Sequence, residues 1–252
     1  MSPAPDPFAA GRFRLRALNG SDEFLLDPAD PRAPSALLRR LAAEDGDIEA
    51  LTIAEHDRLL AAVFEALYGD RVEARTHCAA CSEPLEISLS LSALAAAPPD
   101  VEIELAWPDE NGTFLMPDGR RIRPPTVGDV ERATHSGDAA ALRRACVVEG
   151  DADLNPELLD AALEAAAPAL TRDVAATCPH CAVAQSVRFD LANFLVASLA
   201  RERPFLLREM HLLARGYGWS LAEILSLGRD DRRALARLCE AERAAAAARR
   251  AA

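Results

Sequence analysis

Apolar positions recur along this chain with two different periods, and the switch between them predicts its elements. Leu59, Leu60, Val63, Phe64 and Leu67 fall on one helical face. Thr52 and Glu55 have capping-box spacing ahead of that run, so a helix is expected from Ile53 to about Tyr68, ended by Gly69. His56 lies on its polar side and is expected in solvent. Residues 71–75, 85–89, 173–176 and 186–191 instead alternate or run short, as strands do.

The remaining segments follow the same logic. A short helix is expected at 35–41. Pro98-Pro99 breaks the chain before an alternating strand at 101–105. Residues 114–116 and 120–123 flank the turn Pro117-Asp118-Gly119 as a hairpin. Thr126 caps a helix over 127–134, a second runs over 138–148, and Asn155-Pro156 opens a third over 157–167. Beyond Asp190 the chain reads as helical: 191–203, a new helix begun by Pro204, a turn at 216–219, a short helix capped by Ser220 with Glu223, and a final helix over 229–252. Helix, strand, turn, strand thus occurs twice, at 53–91 and 157–191.

The chemistry sits in those two repeats. His77-Cys78-Ala79-Ala80-Cys81 and Thr177-Cys178-Pro179-His180-Cys181 each place a Cys-x-x-Cys between two strand-like runs. Two such half-sites can present four thiolates, Cys78, Cys81, Cys178 and Cys181, to one tetrahedral Zn²⁺. The separation is far longer than the roughly 15–20 residues usual between such pairs, so a folded insertion is implied. Facing disulfides, a redox pair and metal-free thiols stay open. Four thiolates leave no coordination position for water or substrate, so the zinc is structural and not catalytic. His77 and His180 adjoin the cysteines and are candidate replacement ligands. Cys146 and Cys239, in alanine- and leucine-rich helices, read as buried apolar residues.

Composition narrows the class. The 252 residues carry a net charge of −12, which argues against nonspecific nucleic-acid binding by the chain as a whole. Every basic residue apart from histidine is arginine. No signal-peptide pattern opens the chain at Met1-Ser2-Pro3, and no run approaches the roughly 20 apolar residues of a membrane span. Six cysteines in a chain without an export signal point to reduced thiols. The expected fold is α+β, mainly helical: a flexible arm over 1–35, a core over 36–200 of split zinc-ribbon-like hairpins with an insertion at 98–155, and a helical tail over 201–252. That tail holds eleven arginines against seven acids, a local balance of +4.

The C-terminal half carries a further pattern. Arg123-Pro124-Pro125-Thr126 with Asp129, then Cys146, Cys178-Pro179-His180-Cys181, Phe189-Asp190 and Phe194-Leu195 lead into Glu209-Met210-His211-Leu212-Leu213-Ala214, Tyr217-Gly218-Trp219-Ser220, Glu223-Ile224-Leu225 and Arg232-Arg233. Over roughly 120–245 this resembles a family of baseplate proteins of contractile-tail phages and contractile injection systems, related to the T-even phage baseplate hub assembly protein. The chain departs from that pattern at Gly216, where a helix former is usual, and the first Cys-x-x-Cys rests on spacing alone.

The resemblance implies a non-catalytic structural or assembly factor. Its partners would be other baseplate and hub proteins, with no small-molecule substrate and no nucleic acid. It would be found in the bacterial cytoplasm during assembly, and its retention in the finished particle stays open. Trp219, Tyr217, His211, Arg232 and Arg233 are the candidate partner-binding residues. Taken alone, Trp219 reads as a core plug, His211 as a packing histidine, and Arg232 and Arg233 as a solvated helix face. Two other functions compete. One is a zinc-ribbon nucleic-acid-binding regulator, for which the local basicity of 205–245 speaks. The other is a thiol oxidoreductase using Cys178-Pro179-His180-Cys181, a motif that in such enzymes opens a helix after a strand.

Overall fold

The computed structural model describes residues 9–10, 13–42, 46–97, 103–106 and 108–251. In chain order it contains strands β1 (Ala9–Ala10) and β2 (Phe13–Arg14), helices α1 (Gly20–Phe24) and α2 (Ala33–Leu41), a 3₁₀ turn (Ile48–Ala50), helix α3 (Ile53–Tyr68), strands β3 (Arg71–His77) and β4 (Pro84–Ser90), and helix α4 (Leu91–Ala96). Strands β5 (Phe114–Leu115) and β6 (Arg121–Ile122), helices α5 (Val127–Ser136) and α6 (Ala139–Cys146), strand β7 (Val147–Glu149) and helix α7 (Pro156–Ala166) follow. Strands β8 (Thr171–Thr177) and β9 (Ala184–Asp190), then helices α8 (Leu191–Tyr217), α9 (Leu221–Ser226) and α10 (Arg229–Ala251), complete it. The protein is α+β, mainly helical, with small antiparallel hairpins. No described helix is long and apolar enough to cross a membrane.

The chain divides into two compact units, residues 1–14 with 45–192, and residues 15–44 with 193–252. In the first, α3 forms as its pattern dictates. Thr52 accepts from the Glu55 amide while Glu55 accepts from the Thr52 amide, and Leu59, Leu60, Val63 and Phe64 are buried. β3 pairs with β4, and β8 with β9, each over seven matched positions. Between the hairpins, β5, β6 and β7 make a small sheet. Met116, just after β5, and Ile122 of β6 pack with Cys146 of α6 and with Leu159, Ala162 and Leu163 of α7. The Leu170 amide, just before β8, donates to Asp57 of α3 over 2.7 Å, so the second hairpin is anchored to the helix that precedes the first.

The second unit is helical. α1 packs on α9, with Gly20 donating its amide to the Leu227 carbonyl at 3.2 Å. Leu212 and Leu213 of α8, Ile224 of α9, and Ala236 and Cys239 of α10 form a buried cluster. Gly216 has a steric role here: a Cβ on it would lie 2.6 Å from Cys239 Sγ, so only glycine lets α8 and α10 approach this closely.

Several expectations are corrected. Residues 15–35 are not a loose arm: Leu15, Leu18 and Leu26 are buried, and this stretch and α2 belong with the C-terminal helices rather than with the hairpin core. Pro204 does not begin a new helix but lies inside α8 on its exposed side, where water can satisfy the Ala200 carbonyl. α8 persists because Leu195, Val196 and Leu199 before the proline and Leu206, Leu212 and Leu213 after it are all buried. The helix expected over 138–148 stops at Cys146, and the β-branched Val147 and Val148 join β7 instead. Residues 103–106 are not a strand, although Ile103 and Leu105 pack on the α7 cluster. Met1-Ser2-Pro3, the Pro98-Pro99 break, and Val101 and Glu102 lie outside the described residues.

Candidate metal centre

The two hairpins are built alike, with each strand of the second one hundred positions on from its counterpart. Each tip is closed by the same pair of hydrogen bonds. The Cys78 amide donates to the Glu83 carbonyl at 2.9 Å and the Ser82 amide to the Cys78 carbonyl at 2.9 Å. Cys178 with Val183, and Ala182 with Cys178, repeat them at 3.0 and 2.9 Å. Ser82 and Ala182 both adopt the left-handed region, at φ 61° and 60°, which costs a non-glycine residue about 1–2 kcal/mol. That turn aims backbone amides at sulfur: those of Cys81 and Ala80 at Cys78, that of Glu83 at Cys81, and that of Val183 at Cys181.

The tips meet through their cysteines. Cys78 Sγ lies 3.7 Å from Cys181 Sγ, and Cys81 Sγ lies 3.7 Å from Cys178 Sγ. All four sulfurs fall within 4.8 Å of one another, and none is in a disulfide. Cys78 and Cys178 are buried, whereas Cys81 and Cys181 face outward. The four cysteines therefore lie close enough to hold one metal ion, as their spacing predicts.

Their electrostatics fit a cation. The Cys81 amide, the Ala80 amide and the nearby sulfurs pull the Cys78 thiol down to about 6 against burial. The Glu83 amide pulls Cys81 down too, but burial and the three other sulfurs outweigh it and push that thiol up to about 12. At Cys181 the Val183 amide is likewise outweighed, and the thiol is raised. Four thiols this close cannot all ionise side by side, and a central cation removes the repulsion that prevents it. Bound in this way, all four coordination positions of a tetrahedral ion are filled by protein.

The other sequence candidates separate. His77 and His180 are exposed and lie outside the cysteine group. His56 is buried, not solvated, with its Nδ1 3.2 Å from Asp57 Oδ1. Cys146 and Cys239 are buried, and burial pushes the Cys146 thiol up to about 11. Cys178-Pro179-His180-Cys181 caps a hairpin tip and does not open a helix, so it lacks the helix N-terminus that lowers the thiol pKa of redox motifs.

In the second unit, Trp219 is partly buried against the Leu213 cluster, and the exposed Tyr217 stacks on it with ring centroids 4.7 Å apart. His211 is exposed rather than packed. Arg232 is not a solvated face: it is 1% exposed and pairs with Glu23 and Glu209. Arg233, half-buried, pairs with Glu202 and Glu209.

One polar contact at the cysteine tips escapes a reading by motif. The Ala79 amide donates to Gln185 Oε1 at 2.9 Å, joining the two hairpins beside the sulfurs. Aligning the repeats would have flagged it, because Gln185 stands where the first hairpin has Leu85.

No protein-family model matches this chain, and no curated protein or solved structure matches it either.

Proposed function

We propose that this chain is a non-catalytic structural or assembly component of the baseplate of a contractile phage tail or contractile injection system, stabilised by a four-cysteine zinc site. The observation that carries the structural half of this reading is the convergence of Cys78, Cys81, Cys178 and Cys181 from two hairpin tips. Tetrahedral four-sulfur sites select zinc or iron. Zinc–sulfur bonds of about 2.3 Å give a tetrahedron with edges of about 3.8 Å. The two cross-hairpin sulfur distances of 3.7 Å match that edge, and all four sulfurs lie within 4.8 Å of one another. The hairpins then act as the two halves of a split zinc ribbon, with the β5–β7 sheet and α5–α7 inserted between them.

The baseplate half rests on the resemblance over roughly 120–245. The C-terminal helices would dock on another baseplate or hub protein through the exposed Tyr217 and His211, with the half-buried Trp219 and Arg233 beside them. Arg232 instead supports that segment from within, through its buried pairs. Expression together with the products of neighbouring genes tests the proposal. The expected outcome is stoichiometric co-purification with a baseplate or hub protein. A chain that stays alone with every such product contradicts it.

A further inference from the structure

The two hairpin tips correspond residue by residue in their cysteines, strand register and closing hydrogen bonds, but one contact between them has no counterpart. Interchanging the hairpins carries Cys78 onto Cys178 and Cys81 onto Cys181. It therefore turns the Cys78–Cys181 contact into the Cys81–Cys178 contact, and both are 3.7 Å. The strand registers and both closing hydrogen bonds obey the same operation. The hydrogen bond from Ala79 to Gln185 does not. Its counterpart would run from residue 179 to residue 85, and these are Pro179 and Leu85. Proline has no amide hydrogen to give, and leucine has no acceptor. Leu85 is also buried, where a glutamine facing a proline would lack a donor.

The asymmetry is thus written at both ends of one contact. Donor and acceptor meet only when unlike hairpins face each other. Two first hairpins would set Ala79 against Leu85, and two second hairpins would set Gln185 against Pro179, each exchanging this exposed contact for water. Ala79 also sits directly between Cys78 and the Ala80 and Cys81 amides that point at the Cys78 sulfur. Fixing its amide fixes the tip that carries two of the four ligands.

We infer that Gln185 is a positioning residue of the metal centre: it holds the first cysteine tip in ligating geometry and selects the second hairpin as its mate. This rests on the four-sulfur metal reading. The test uses the full chain loaded with zinc, as wild type, Gln185→Met, Ala79→Pro, their double variant, and the exchanged variant Ala79→Pro/Leu85→Gln/Pro179→Ala/Gln185→Leu. Proline at 79 is compatible with the turn, because Pro179 occupies the equivalent place.

Zinc release to a chromophoric chelator gives the rate, and the thiolate-to-metal band of the cobalt-loaded protein reports the ligand set. Each single variant should release zinc about two- to tenfold faster with an unchanged cobalt band. The double variant should be no faster than the faster single, and the exchanged variant should recover toward wild type. Wild-type release by Gln185→Met, or multiplicative effects in the double variant, overturns the inference. Should the exchanged variant not fold, as read by circular dichroism, the comparison of singles and double decides. A wild-type chain that holds no metal overturns the metal reading and this inference together. Zinc held equally by wild type and Gln185→Met overturns this inference alone.

Discussion

Arg232 and Glu23 stand 209 positions apart in the chain and meet in a buried ion pair of 2.8 Å. The same guanidinium donates through Nε to Glu209 at 2.8 Å, so one side chain on α10 joins α1 to α8. Removing it leaves the buried Glu23 and the half-buried Glu209 with only longer ion pairs, to Arg229 and Arg233, both at 3.7 Å. Arg232→Ala is therefore expected to destabilise the C-terminal unit by about 3–5 kcal/mol, measured by denaturant unfolding. Lysine should not rescue it, since a point charge cannot span both partners as the planar fork does. A cost below about 1 kcal/mol would mean the pair is no more than a solvated contact.

Gly216 and Cys239 set the spacing of α8 and α10. Gly216→Ala forces a methyl to within 2.6 Å of the Cys239 sulfur and is expected to cost about 1–3 kcal/mol. Cys239→Ala in the same chain removes the obstructing atom and should recover most of the loss. Additive costs in the double variant, read from thermal melts, would show that the two residues do not limit the approach.

Asp129 gives the first unit an acid-sensitive joint. Burial pushes its carboxyl up, but Arg123 at 2.6 and 3.0 Å and the Thr126 amide and hydroxyl outweigh this and hold it well below the usual carboxylate range. A depressed carboxylate contributes stability that is fully present above its unfolded value of about 3.9 and is lost as pH falls through the folded value. Asp129→Asn should therefore destabilise by about 1–3 kcal/mol at neutral pH and flatten the acid limb of the stability curve. An unchanged slope below about pH 4 contradicts the assignment.

How legible all this was in the sequence depends on where each signal lives. α3, its capping box and both hairpins follow from local pattern, because Thr52 with Glu55 and the alternating runs around the cysteines encode them within a few residues. The four-cysteine cluster was also legible, since repeated spacing in matching contexts survives a long insertion. Arg232 and His56 were not: each looks like a polar residue on a helix surface until partners distant in the chain, or an unforeseen packing face, bury it. Pro204 misled for a related reason, because packing on both sides of it overrides the local break. The grouping of residues 15–44 with the C-terminal helices rests on Asn19, Gly20 and Glu23, which meet Gly228, Leu227 and Arg232, partners no local period reveals.

Ala182 carries backbone strain that a smaller residue can relieve. At φ 60° its Cβ costs energy that glycine does not incur, so Ala182→Gly should raise the stability of the metal-loaded protein by about 1 kcal/mol. Ser82→Gly, at the equivalent place, should act alike. A lower melting temperature for either would show that the methyl or hydroxyl makes a contact that outweighs the strain.

The most direct test of the account is the metal content of the pure protein, measured together with the reactivity of its thiols. One zinc per chain is expected, with the outward-facing Cys81 and Cys181 unreactive toward a thiol reagent until a chelator is added, and with the metal lost in Cys178→Ser. Well under one zinc per chain, with Cys81 and Cys181 freely reactive in the folded protein, would contradict the claim that four sulfurs close this fold around an ion.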